Sequence, residues 1–218
     1  MKPRKETVIT LLVMAGLWQI SSLFLPEYLV PGIQALWPEF VKTLSDTSTY
    51  GHVVASMLRI VAAFTFSVVV GVSLGIWMGV SLRVERYVMP ALQVLMGIPA
   101  LSLILVAVIW FRGAEIRVFF VIVAIALPIM VLNTLDGIKG IPRELTEMLI
   151  SFRPTLWQRV HMITLPGAMP SIIVGMKIAL SFATRLAVFA ELIGTTQGFG
   201  SALYSAFQTF NLTAVFVW

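Results

Sequence analysis

Residues Pro142–Pro170 read PRELTEMLISFRPTLWQRVHMITLPGAMP. This is the long polar interruption in a chain otherwise built from apolar runs, and it carries Arg143, Glu144, Glu147, Arg153 and Arg159. Leu145, Leu149, Phe152 and Leu156 follow one another at spacings of 4, 3 and 4, which predicts one apolar stripe of an α-helix. A helix with one apolar stripe and one charged face needs a surface to dock on, either lipid headgroups or another protein.

Composition places that stretch. Apolar residues make up 59% of the 218 and charged residues only 11%, and the mean hydropathy is +0.96. A soluble domain could not cover so much hydrocarbon with so little charge, so the fold class is all-α, a polytopic transmembrane helical bundle. Cysteine is absent, which excludes disulfides, thiolate metal sites and cysteine nucleophiles. The two histidines, His52 and His161, are too few and too far apart to suggest a metal site. A net charge of +5 needs no nucleic acid to explain it, because basic residues at membrane flanks give the same number.

In order along the chain, Lys2, Arg4 and Lys5 precede an apolar run over 8–25. Trp18, Gln19 and the following Pro26-Glu27 make it a retained span rather than a cleaved leader. Residues 26–52 read as a loop holding a short amphipathic helix around 33–44, and residues 1–50 as an N-terminal span plus external loop. The second span is expected over 52–80, with Gly71, Gly75 and Gly79 forming a small-residue row suited to close helix packing in lipid. Arg59 near its start is expected to reach back to the interface. Arg83, Glu85 and Arg86 read as a turn, and the third span, 88–110, as broken by Pro90 and by Gly97-Ile98-Pro99. Arg112, Glu115 and Arg117 mark the next turn, before a fourth span over 118–135. A fifth is expected from about Pro166 to Ile193, then a Gly-rich turn at 195–200 and the opening of a sixth, in which the chain stops.

Basic residues orient these spans. With the N-terminus in the cytoplasm, that side holds Lys2, Arg4, Lys5, Arg83, Arg86, Lys139, Arg143, Arg153 and Arg159, nine in all, while the other side holds Lys42, Arg112 and Arg117, three. The N-terminus and the amphipathic stretch are therefore expected inside.

The stretch then resembles a known signature. Permeases of ABC importers carry Glu-Ala-Ala, three residues, Gly, nine residues, then Ile-x-Leu-Pro; here Glu147, Ile163, Leu165 and Pro166 stand at matching places. Met148 and Leu149 occupy the Ala places and Arg153 the Gly place. Further likenesses are Gly97-Ile98-Pro99-Ala100 with Val108-Ile109-Trp110-Phe111, Leu127-Pro128-Ile129 with Asn133-Thr134 and Gly137, and Ala190-Glu191-Leu192-Ile193-Gly194 with Gly198-Phe199-Gly200. Together they cover residues 50–218, and the chain is similar to the nitrate, sulfonate, taurine and bicarbonate type of ABC importer permease. The resemblance implies a type I importer fold in a bacterial inner membrane, with five spans plus the start of a sixth where the family has six, the permease domain covering 51–218.

It also implies partners. Residues around Glu147 would form coupling helices gripped by a cytoplasmic ATP-binding cassette subunit. Leu145, Leu149 and Phe152 would be the anchors, Glu144, Glu147 and Arg153 a polar rim, and Met148, Pro154 and Thr155 part of the same segment. A lipid-surface helix is the alternative, but such helices favour Lys and Arg, and this one mixes them with Glu. Where the family has Gly, Pro154 is expected to keep the helix break, by pushing Arg153 out of the helical region and opening a second helix.

No Gly-x4-Gly-Lys-Ser/Thr loop occurs, so ATP and its magnesium belong to the partner and no cofactor is expected on this chain. The resemblance further implies a homodimer and an external binding protein that delivers a small anion. Lys177, Arg185 and Glu191 lie in the fifth span, Lys177 and Arg185 eight residues apart and so roughly on one face. They either line the anion path, or Lys177 snorkels to the edge while Arg185 pairs with a neighbouring span. Glu191 either pairs with Arg185 or caps the Gly-rich turn. A secondary transporter needs no ATPase but shows inverted repeats; none is visible here, and it would leave the polar stretch unexplained. A membrane-embedded enzyme would need clustered His, Asp or Glu at depth.

Overall fold

In the computed structural model, residues 5–26 and 29–218 are described. Among them there are helices and no strands: α1 (Lys5–Phe24), α2 (Ile33–Ser45), α3 (Thr47–Val80), α4 (Leu82–Gly97), α5 (Ala100–Trp110), α6 (Ala114–Lys139), α7 (Arg143–Ser151), α8 (Leu156–Arg159), α9 (Leu165–Gly194), α10 (Phe199–Gln208) and α11 (Leu212–Val217). A π-helical turn, Val160–Thr164, joins α8 to α9 into one rod. Lys2, Arg4 and Glu27 lie outside the described residues.

Among the described residues four helical runs are long and apolar enough to cross a membrane: α1, α3, α6 and the rod Leu156–Gly194. The bent pair α4–α5 makes a fifth if it counts as one span. With α6 as hub, α3 and α9 both pack against it and also touch each other. The Val118, Val121, Ile122, Ala126 and Met130 side chains of α6 are fully buried, and they cluster with Ile60 and Ala63 of α3 and Ala179, Ala183 and Ala187 of α9. The Gly71–Gly75–Gly79 row is where α3 and α6 touch. A Cβ on Gly75 would stand 2.6 Å from Thr134 Cβ and 2.8 Å from the Val131 carbonyl oxygen, and Gly71 and Gly79 meet Met130 and Ile138 in the same register. Hydrophobic burial gives helices no drive to associate in lipid, so this close backbone approach is what lets dispersion and packing hold the pair.

Several expectations are corrected. Arg83, Glu85 and Arg86 belong to the start of α4, because the chain turns in the single residue Ser81. Glu85 then pairs with Lys139, tying α4 to the far end of α6. Pro90 sits inside α4 without interrupting it, and the break falls at Ile98-Pro99, where α4 and α5 meet at 94°. Glu115 and Arg117 lie in the first turn of α6. The fifth span starts at Leu156, ten residues before Pro166. The wide π turn just ahead of Pro166 accommodates a ring that would otherwise crowd the carbonyl one turn back. Beyond Gly194 the chain folds into the short helices α10 and α11, with Phe210 between them at φ 54°.

Candidate functional site

Two polar constellations stand at opposite ends of the bundle, and the sequence anticipated one of them. At the Lys139 end, α7 stops at Ser151 and α8 starts at Leu156. Between them Arg153 has φ 52°, the left-handed region that a glycine enters freely and other residues enter at a cost. The chain thus takes the turn a glycine would make at this place. Pro154 follows, but it is not the first residue of the new helix. That helix is capped by Thr155, whose Oγ1 accepts from the Gln158 N–H at 3.3 Å while Gln158 Oε1 accepts from the Thr155 N–H at 2.8 Å.

The break divides the predicted stripe. Leu149 turns inward and is 8% exposed. With Ile138, Ile141 and Ile163 it lines a space of about 140 Å³ under the ends of α3 and α6. Leu145, Met148, Phe152, Leu156 and Trp157 are exposed, Phe152 at 78%. Glu144, Glu147, Arg153 and Thr155 are exposed beside them, Pro154 and Leu165 are half-buried and Pro166 is exposed. Leu149 is therefore an anchor into this chain's own spans, because a helix that ends at Ser151 cannot keep Leu149, Phe152 and Leu156 on one face.

At the Ala114 end, Glu191 of α9 is fully buried. Its Oε1 accepts from Arg59 Nη1 at 2.8 Å and from Ser56 Oγ at 2.8 Å, and its Oε2 accepts from the Gly200 N–H at 3.1 Å. Arg59 also donates twice to Glu115, from Nε at 2.8 Å and from Nη2 at 2.7 Å, and once to the Gln197 carbonyl at 2.7 Å. The start of α10 is satisfied from the same place. The Gly198 N–H donates to His52 Nδ1 at 3.0 Å and the Phe199 N–H to Ser56 Oγ at 2.8 Å. Gly198 has φ 128°, and a Cβ there would fall on the Glu191 carboxylate. Next to this lock, Arg117 Nη1 donates to the Gly194 carbonyl at 2.6 Å, closing the end of α9 against α6. Arg59 was not expected to be buried, and Glu191 pairs with it and caps the Gly-rich turn rather than reaching Arg185. The signal available in the sequence was two lone charges of opposite sign, Arg59 and Glu191, each in an apolar run, with Glu115 in a charged turn between them.

Lys177 and Arg185 are exposed on α9, in a stripe with Ser181 and Thr184, and neither forms an ion pair among the described residues. Glu191 is buried in the lock and takes no part in that exposed stripe. At the α4–α5 break a cavity of about 400 Å³ is lined by Met96, Ile98, Ala124, Asn133 and Phe182, among others.

The family described as binding-protein-dependent transport system inner membrane component matches residues 67–217, which take in α6, the α7–α8 break and Glu191 with its Gly-rich turn, while Ser56 and Arg59 precede the matched range. The chain belongs to that family. This permease is also similar to the taurine transport system permease protein of Escherichia coli (31% identical, covering 87% of this chain and 71% of that one). It is similar to the formylaminopyrimidine transport permease protein of Halalkalibacterium halodurans (30%, 89% and 78%) and to the nitrate import permease protein of Leptolyngbya laminosa (24%, 93% and 75%). The permease is thus a multi-pass membrane protein of a transport system, and its all-α bundle is the architecture of that family.

Proposed function

We propose that this permease is the membrane-spanning subunit of an ATP-driven importer, and that residues 143–166 are the part gripped by a cytoplasmic ATP-binding cassette ATPase. The observation that carries the reading is the α7–Arg153–α8 corner. It presents Leu145, Met148, Phe152 and Leu156 outward beside Glu144, Glu147 and Arg153, an apolar centre with a mixed-charge rim. ATP and its magnesium are held by that partner. The excess of Lys and Arg supports a cytoplasmic N-terminus, and the corner then faces the cytoplasm.

Two copies of the chain enclose the pathway. The stripe of Lys177, Ser181, Thr184 and Arg185 lies on the outside of a single chain, within a span, where uncovered charge is costly. A second copy facing it turns the stripe into a polar interior. The two cations favour a small anion such as a sulfonate, nitrate or bicarbonate, delivered by an external binding protein. One of the relatives is named for a pyrimidine, so the anion rests on Lys177 and Arg185 rather than on the family alone.

The test is reconstitution. Tagged permease is expected to bring down an ATPase subunit and to take up anion only with ATP. Uptake that continues without any ATPase would make it a secondary transporter. Arg185→Gln is expected to lower anion uptake with assembly intact, and unchanged uptake would remove Arg185 from the path.

A further inference from the structure

The helix α2 has three distinct sides. At about 100° per residue, Ile33, Trp37, Phe40, Val41 and Leu44 fall within one arc roughly 100° wide. All five are exposed, Trp37 at 65%. To one side of that arc, Leu36, Glu39 and Thr43 are half-buried, on the side where α2 packs against α11 and the start of α3. To the other side, Gln34, Lys42 and Ser45 are exposed and polar. A bare apolar arc between a packed side and a wet side is the layout of a helix lying at a boundary.

Both ends of α2 are fastened at the depth where spans leave the hydrocarbon. Its first end is tied to α1: Trp18 Nε1 donates to the Pro31 carbonyl at 3.1 Å, and the Ile33 N–H donates to Gln19 Oε1 at 3.1 Å. The 20 residues of α1 span about 30 Å, the thickness of a bilayer core, so Trp18 and Gln19 lie about 8–9 Å in from the end of that span, within the depth to which an interfacial helix sinks its apolar face. The last turn of α2 is tied to α3, where Tyr50 Oη donates to the Leu44 carbonyl at 3.1 Å. Tyr50 opens the exposed apolar side of α3, which continues through Val54, Leu58 and Val61 and reaches Trp77. From Tyr50 to Trp77 is about 40 Å of helix, a core plus its interfacial layers, with an aromatic residue at each border. A 13-residue helix pinned at both ends to that border runs along the membrane surface.

We propose that α2 is a lipid-embedded anchor, with Ile33, Trp37, Phe40, Val41 and Leu44 seated among the headgroups and upper acyl chains of the leaflet where α1 ends and α3 begins. The arc lies between its ties to α1 and α3, two spans whose own exposed apolar residues face lipid in a membrane protein. Its hold is apolar: the one cation on the polar side, Lys42, is paired with Glu39 at 3.2 Å, so anionic lipid is not required. The inference rests on the chain being a membrane protein and is independent of any ATPase.

The absence of cysteine makes a direct test possible. Single spin-labelled cysteines at Trp37→Cys and Val41→Cys, and at Gln34→Cys and Lys42→Cys, are introduced in the full chain in phosphatidylcholine nanodiscs. Collision with oxygen, which concentrates in lipid, is compared with collision with a water-soluble nickel chelate. At 37 and 41 oxygen is expected to dominate, and at 34 and 42 nickel. Nickel dominating at 37 and 41 would place the arc in water, and exclusion of both reagents there would place a second copy or another protein on it; either result overturns the proposal. If one arc variant fails to fold, Leu44→Cys reads the same face.

Discussion

Arg59 and Glu191, which lie 132 residues apart in the chain, meet as a 2.8 Å ion pair in which neither side chain is more than 4% exposed. With Ser56, the Gly200 N–H and Glu115 around them, every charge in the cluster has a partner. Breaking such a pair from one side leaves the other charge buried and uncompensated, which typically costs about 3–5 kcal/mol. Arg59→Met is therefore expected to cost stability on that scale in thermal unfolding of the detergent-solubilised protein. Glu115 is 71% exposed, so Glu115→Gln is expected to cost at most about 1 kcal/mol. Equal effects from the two substitutions would mean the lock is not organised around Glu191.

The α3–α6 contact predicts opposite outcomes for two glycines. Gly75→Ala puts a Cβ 2.8 Å from the Val131 carbonyl, so backbone must move, at about 1–3 kcal/mol. Gly51 lies in the same helix with nothing within 4 Å of its Cβ direction. Gly51→Ala should be neutral or stabilising by up to about 1 kcal/mol, since alanine is the better helix former. Chemical denaturation of both variants checks the pair.

Arg153 holds a left-handed backbone that costs a residue with a Cβ about 1–2 kcal/mol. Arg153→Gly should raise stability by up to about that amount while leaving the corner intact, and Arg153→Val should lower it. Circular-dichroism melts of the two variants, read with ATPase pull-down, give the result; a destabilised glycine variant would contradict the strained turn.

At the same corner Leu149 and Phe152 are expected to separate folding from docking. Leu149→Ala removes a side chain packed under α6 and should cost about 2–4 kcal/mol of stability. Phe152→Asp alters a 78% exposed side chain and should leave the melt unchanged while abolishing ATPase capture. A Phe152→Asp variant that still binds and drives its ATPase would count against the docking surface.

Asp46, the N-cap of α3, should make the first turn of that helix acid-sensitive. The Ser48 backbone N–H, 2.9 Å from Oδ1, holds its carboxyl below the ordinary carboxylate range, with a side-chain hydrogen bond to Ser48 adding to the effect. Because the folded value is depressed, the cap's contribution is complete above the ordinary carboxylate range and is lost as pH falls through the folded value. Amide exchange at Thr49 and Tyr50 should therefore quicken relative to its intrinsic rate in acid. Asp46→Asn should show no such dependence.

Where periodicity and sterics decide, the sequence was readable. The amphipathic helix at 33–44 follows from its spacing, the Gly71–Gly75–Gly79 contact from its small residues, and the stop before Arg153 from Pro154. The stripe through Leu145, Leu149, Phe152 and Leu156 misled, because the spacing was extended through a break that the same proline announces. The Arg59–Glu115–Glu191 lock was not legible. Its partners are 56 and 132 residues apart, and a single arginine in an apolar run looks the same whether it snorkels or finds a buried carboxylate. Complementary sign could have suggested the grouping, but which carboxylate is buried depends on how α6 and α9 pack.

From Leu156 to Gly194 the protein builds one unbroken beam of 39 residues, about 58 Å long. Its hydrogen-bond ladder changes register at the Val160–Thr164 turn, close to one tip, and the other tip is bolted by Arg59 and Arg117. Under the docking proposed above, torque applied beside Thr155 would travel along this beam to the helices clamped around Glu191.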